Sequence, residues 1–213
     1  MKSKQLREEQ RLLRNAFPVT DDCEMPMLGV VDLPRIDSML SYHDTRLEDD
    51  SARQYSYLVH FFKDDIRFEH LYERPEDEKG KQRLLKLAQY TAVCTPDFSL
   101  FPQMPLPVQQ MQVFKSRWCG AFWESMGLCV VPTITWGDER SFGFCFNGVP
   151  QNSVVAVSVL GCAGSKMAFL EGYRRMLKKL MPKQIICYGH AFEEMDGNII
   201  EFPYEAFRKG GGK

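Results

Sequence analysis

Ala92-Val-Cys-Thr-Pro-Asp97-Phe-Ser99 and, after a proline-punctuated turn and a long amphipathic run, Leu128-Cys-Val-Val-Pro-Thr-Ile-Thr-Trp136 read as strand, helix, strand. The two flanking segments are short, apolar and β-branched, without the polar alternation of a half-exposed strand. That is the pattern of strands covered on both faces of a parallel sheet. Pro105 and Pro107 suit a first helical turn, where a missing N–H leaves no bond unmade. Val108, Met111, Phe114, Trp118, Ala121 and Phe122 then recur at steps of three or four and predict an apolar stripe. Gly127 falls where a helix end favours a residue at positive φ.

Outward from this unit the same alternation continues. Met27–Val31, Tyr57–Phe62, Ser153–Leu160, Gln184–Gly189 and Asn198–Phe202 are strand candidates. Residues 82–89 predict a short helix. A longer one follows Ser165, a candidate N-cap, with Met167, Leu170, Tyr173, Leu177 and Leu180 on its stripe and Pro182 as its stop. Residues 41–55 are polar and expected to loop. The expected class is therefore α/β, a mostly parallel sheet with crossover helices. Two architectures satisfy that order: a small or incomplete β/α barrel, or an open doubly wound sheet.

The chain, 213 residues with 44% hydrophobic content, suffices for one substantial core. Residues 21–207 are expected to form that single domain, with 1–20 as an N-terminal arm, helical over 3–16, and 208–213 as a flexible tail. A net charge of −1 gives no global reason to expect a nucleic-acid binder. No apolar run approaches a membrane span, and the charged first ten residues lack a signal peptide's apolar centre, so a cytoplasmic protein is expected. Seven cysteines without a Cys-x-x-Cys pair point to reduced, mostly buried thiols, with no metal site. No motif names a cofactor.

In either architecture ligands bind beyond the carboxyl ends of the strands. Asp97 is the leading candidate, because a carboxylate closing an apolar strand becomes desolvated and useful as a base or nucleophile. The competing reading is a loop cap. His190, after Gly189, is a second candidate acid or base, and Trp136 a stacking platform unless it only closes the core. Arg117, inside the apolar helix, should meet a carboxylate or an anionic ligand. Asp64, Ser99, Asp138 and Ser158 complete the expected ligand-binding rim. Asp65 is expected to diverge from its neighbour Asp64, and His60 to be a core histidine.

Several runs together resemble a known family: Phe61-Phe-Lys-Asp-Asp-Ile-Arg-Phe68, Thr95-Pro-Asp-Phe-Ser-Leu100, Arg117-Trp-Cys-Gly-Ala-Phe-Trp123, Val131-Pro-Thr-Ile-Thr-Trp136, Phe144-Cys-Phe-Asn-Gly-Val-Pro150 and Val154-Val-Ala-Val-Ser-Val-Leu-Gly161. They look like a bacterial and phage family catalogued as a domain of unknown function, number forty-four seventeen. The resemblance spans roughly residues 25–202. It implies a bacterial or mobile-element origin and carries no activity with it. Asp97, Val131-Pro-Thr133, Val155-Ala-Val-Ser158 with Gly161, and Tyr188-Gly-His190 are also similar to base-exchanging transglycosylase barrels, whose zinc-ligating cysteines have no counterpart in this sequence. The expected function is an enzyme, or an enzyme-derived domain, that binds a small polar or nucleotide-like ligand around Asp97. The alternative is a non-catalytic accessory that binds a host protein or nucleic acid.

Overall fold

A computed structural model describes residues 9–50, 52 and 55–204. The strands are β1 (Ser38–Ser41), β2 (Tyr57–His60), β3 (Ala92–Cys94), β4 (Val130–Val131), β5 (Val154–Ser158), β6 (Gln184–Tyr188) and β7 (Ile199–Phe202). The α-helices are α1 (His70–Glu73), α2 (Glu78–Leu87), α3 (Leu106–Ser125) and α4 (Lys166–Leu180). Every ladder is parallel, β1-β2-β3-β4 in one sheet and β5-β6-β7 in the other. The expected α/β class with a parallel sheet is therefore present. Strands follow chain order, as in a barrel, but among the described residues no ladder joins β7 back to β1, and the barrel does not close.

Proline shapes the seam between the sheets. The β4 ladder stops at Pro132, which has no N–H to offer. Its carbonyl instead accepts from Ala156 N at 2.9 Å, and Ile134 N donates to Ala156 O at 2.8 Å, so one bridge at Thr133 and Ala156 carries the chain from sheet to sheet. Threonines extend β3 against β4 beyond the ladder. Thr133 N donates to Thr95 Oγ1 at 2.9 Å and Thr133 Oγ1 to Thr95 O at 2.7 Å.

The two faces of β5 and β6 enter different cores. Val154, Ala156, Ile186 and Tyr188 pack with the first sheet, while Val155, Val157, Ile185 and Cys187 pack under α4. Strand alternation produces this division. The His60 ring lies 4.3 Å from that of Tyr188, so side chains of β2 and β6 meet although their strands belong to different sheets.

Helix α3 departs from the predicted stripe. Val108 and Met111 are exposed, whereas Gln109 is fully buried, and every residue from Ser116 to Trp123 is buried. A helix covered on all sides needs no single apolar face, and its periodicity is lost. Burying Trp118, Phe122 and Trp123 contributes about 2–3 kcal/mol each before entropy is counted. The expected stop at Gly127 is present: φ is +85°, Gly127 N donates to Glu124 O at 2.9 Å and Leu128 N to Trp123 O at 3.0 Å. That is the double bond of a Schellman cap.

Other expectations need correction. Met27–Val31 forms no strand. Its N–H groups go to scattered partners, Leu28 N to Gly148 O and Val31 N to Ser153 Oγ, and Leu28 and Val31 are buried three residues apart rather than two. Of the helix expected over 3–16, residues 3–8 lie outside those described, and among the described residues of the arm Gln10–Leu12 forms a single 3-10 turn. Pro18 disfavours helix in the residue before it. β1 was hidden in polar sequence. Helix α2 begins earlier than expected because Asp77 caps it, accepting from Gly80 N at 2.6 Å. Ser165 makes no side-chain cap to α4, and Met167 is 72% exposed. The expected tail falls outside the described residues.

Candidate functional site

Asp97 follows the buried Thr95 and Pro96 at the end of β3. The residue is half-buried, but its Oδ1 is sealed from solvent and has no hydrogen-bond partner among the described residues. Burial, and secondarily the nearby Asp65 carboxylate, push the Asp97 carboxyl up to about 7. Withdrawing a carboxylate from water penalises its charge, and a neighbouring anion adds to that penalty. Asp97 is thus poised between acid and base at neutral pH.

Asp65 is held quite differently. It accepts from Ser99 N at 3.0 Å, Ser99 Oγ at 2.9 Å and Gln112 Nε2 at 3.4 Å. These bonds tie the loop after β2 to the loop after β3 and to α3. Lys115, on α3, pairs with Glu69 at 2.8 Å and sits 5.3 Å from the Phe98 ring centre. The Asp97 carboxylate also contributes, after burial, to raising the Cys94 and Cys162 thiols. Loops after β2, β3 and β5 therefore converge here, in the manner of strand-end sites.

At the neighbouring strand ends, His60 is fully buried, and burial, then Lys63, lower it to about 3. Its Nδ1 accepts from Phe62 N at 3.3 Å, which fixes the proton of the neutral ring on Nε2. The ring is a neutral core histidine. Gly189, at φ +106°, lies against Tyr204, and a Cβ there would come within 2.6 Å of that ring. Glycine is required at this position on both counts.

The remaining candidates have other surroundings. Arg117 is buried and, among the described residues, meets no carboxylate. It donates to Asn147 O at 3.0 Å, Thr133 O at 3.0 Å and Cys145 O at 2.9 Å. Burial lowers it to about 10, so it stays charged at neutral pH. The expected carboxylate or anion is replaced by carbonyls that bind the seam to the segment after Ser141. Trp136 packs on α4, 5.1 Å from the Phe169 ring centre, where a Cβ on Gly172 would lie 2.2 Å from its Nε1. His190 is exposed and 3.1 Å from Glu201. Asp64 is exposed and 3.6 Å from Arg67. Asp138 caps the turn Glu139–Ser141 and grips Arg140 at 2.8 Å. Ser158 Oγ accepts from Leu160 N at 3.1 Å. Asp97, Asp65 and Ser99 are brought together, while these other side chains are held by partners of their own.

Asp65, Gln112 and Cys162 were missed in the sequence. The divergence of Asp64 and Asp65 was the available signal: if one faces solvent, the other faces inward. Among the described residues no three His, Cys, Asp or Glu side chains group so as to hold a metal ion. No helix there is long and apolar enough to cross a membrane. All seven cysteines are free thiols.

A family model described as "Domain of unknown function (DUF4417)" matches residues 17–205. The "Gene 1 protein" of Mycobacterium phage L5 is 37% identical over 198 residues, covering 90% of this chain and 83% of that protein. The "Gene 1 protein" of Mycobacterium phage D29 is 40% identical over 147 residues, covering 67% of this chain and 52% of that protein. No solved structure matches. The expected similarity to transglycosylase barrels gains nothing from these comparisons.

Proposed function

Since the chain belongs to the DUF4417 family, with phage gene 1 proteins among its relatives, we propose from its own site that it is an enzyme or enzyme-derived domain binding a small polar or nucleotide-like ligand beside Asp97. The observation that carries this reading is the sealed, unbonded Oδ1 of Asp97 next to the Asp65 carboxylate. A carboxyl group in that state donates its proton to a ligand acceptor, or takes one from a ligand N–H or O–H, near neutral pH. Asp65, fixed by Ser99 and Gln112, supplies a stationary negative charge. Arg117 and Trp136 are left out of the proposal, since their partners are backbone carbonyls and α4.

The test is mass spectrometry of small molecules retained by the purified protein, followed by binding of a nucleoside and nucleotide panel. Asp97→Asn should weaken binding at least about tenfold, the loss of roughly one charge-assisted hydrogen bond. Equal binding by wild type and Asp97→Asn across every retained or tested ligand would remove the proposal's centre.

A further inference from the structure

A second polar cluster gathers around Tyr42, directly after β1, from residues other than those beside Asp97. The Tyr42 ring is buried and stacks on Phe61, with centres 5.1 Å apart, so it forms a fixed platform. Its hydroxyl is 3.2 Å from Nε2 of His70, the first residue of α1. Lys86, near the end of α2, places its Nζ 4.2 Å from the centre of the same ring. Arg83 lies three residues before Lys86, a spacing that puts both on one face of α2. Its charge is felt by Tyr42, His70 and Lys86 alike.

These cations are short of anions. Among the described residues no carboxylate lies within ion-pair distance of Lys86 or His70, and Asp77, 4.0 Å from Arg83, already caps α2 through Gly80 N. Burial, then Arg83 and Lys86, lower the His70 ring against the opposing pull of Glu73 and Asp77. Burial, then Arg83, lower the Lys86 ammonium. Lys86 Nζ and His70 Nδ1 have no hydrogen-bond partner among the described residues, and neither is sealed from solvent, so an incoming ion can reach both. Half-buried cations that repel one another are relieved by an anion between them. We propose that Arg83, Lys86 and His70 bind a phosphate group, free or as a monoester, over the edge of Tyr42. Phosphate suits the cluster because its several oxygens accept from donors on separate elements, and its charge matches two fixed cations.

The ring resonances of His70 report binding in the full chain, titrated at neutral pH with inorganic phosphate, and with acetate at matched ionic strength. Phosphate should shift them saturably at millimolar concentration and bind more tightly than acetate. Lys86→Gln and Arg83→Gln should each weaken phosphate binding about tenfold or more, the loss of roughly one charge-assisted hydrogen bond. Asp97→Asn should leave it unchanged, so this site stands or falls apart from the one beside Asp97. Glycerol 3-phosphate separates two sources of the same group: tighter binding than inorganic phosphate assigns the site to a phosphomonoester, weaker binding to free phosphate. Should a variant fail to fold, the wild-type His70 shift and the order of phosphate over acetate carry the test. No saturable shift with phosphate, equal affinity for acetate, or undiminished binding by both folded variants would overturn the proposal.

Discussion

Replacing Asp97 by Asn should stabilise the protein in alkali and leave it nearly unchanged in acid. The folded carboxyl is raised to about 7 from an ordinary 3.8. Below 3.8 both folded and unfolded chains are protonated, and the position makes no difference. As pH rises from there, the unfolded chain ionises freely while the folded one resists, and stability falls until the folded group ionises near 7. A displacement of about three pH units at about 1.4 kcal/mol each gives an upper figure of about 4 kcal/mol. Asp97 is half-buried rather than sealed as a whole, and solvent screening reduces this to about 2–3 kcal/mol. Asparagine keeps the shape and cannot ionise. Urea unfolding of wild type and Asp97→Asn at pH 4 and pH 8 measures the effect, with a stability difference near zero at the first and about 2–3 kcal/mol in the variant's favour at the second. Equal destabilisation at both pH values would refute the reasoning, because Asp97 would then be a structural hydrogen-bond acceptor.

His60 gives the opposite slope: lowered to about 3, it stays neutral in the fold while the unfolded chain takes up a proton below about 6.5. Its contribution is present above that pH and is lost at about 1.4 kcal/mol per unit as pH falls towards 3, so His60→Phe should flatten the acid limb of a urea-midpoint profile. Arg117→Met should cost about 3–5 kcal/mol, because it leaves the carbonyls of Thr133, Cys145 and Asn147 without their donor, and a double mutant with Asp97→Asn should show simple additivity in thermal unfolding. Gly172→Ala sets two effects against each other. Helix propensity favours alanine by about 1 kcal/mol, but the new Cβ would sit 2.2 Å from Trp136 Nε1. Overpacking of this kind costs about 1–3 kcal/mol, so a lowered melting temperature is expected, with recovery in Gly172→Ala/Trp136→Leu.

The parallel α/β class could be read directly, because fully apolar β-branched runs such as Val154–Ser158 separated by helical stretches have few other solutions. Asp97 was legible for the same reason, as the first charged side chain after an apolar strand. What escaped lay in relations between distant segments. Asp65 is chosen over Asp64 by Ser99 and Gln112, 34 and 47 residues away, which no local pattern records. Arg117 was read as needing an anion, but a guanidinium presents several donors that carbonyls satisfy equally well, and the turn that brings Asn147 and Cys145 to it is set by tertiary packing. Strand lengths were overread wherever proline followed: Pro132 ends β4 after two residues although the apolar run continues.

Because each strand pairs with its neighbours in chain order, the molecule can be divided without unzipping a ladder. The turn at Gln151 and Asn152 separates all of β1–β4 from all of β5–β7, and among the described residues Thr133 and Ala156 form the single backbone bridge between the two sheets. A chain cut at Gln151 yields one piece carrying the Asp97–Asp65 pair, and another carrying α4 and its apolar underside. Mixed together, the pieces should reassemble by docking the exposed edge of β5 beside Thr133, recovering the far-ultraviolet circular dichroism of the intact chain. Permanent separation of the pieces would mean that the covalent turn itself holds the sheets in place. Reassembly would make this protein a candidate reporter, its two halves reuniting only when fused partners bring them together.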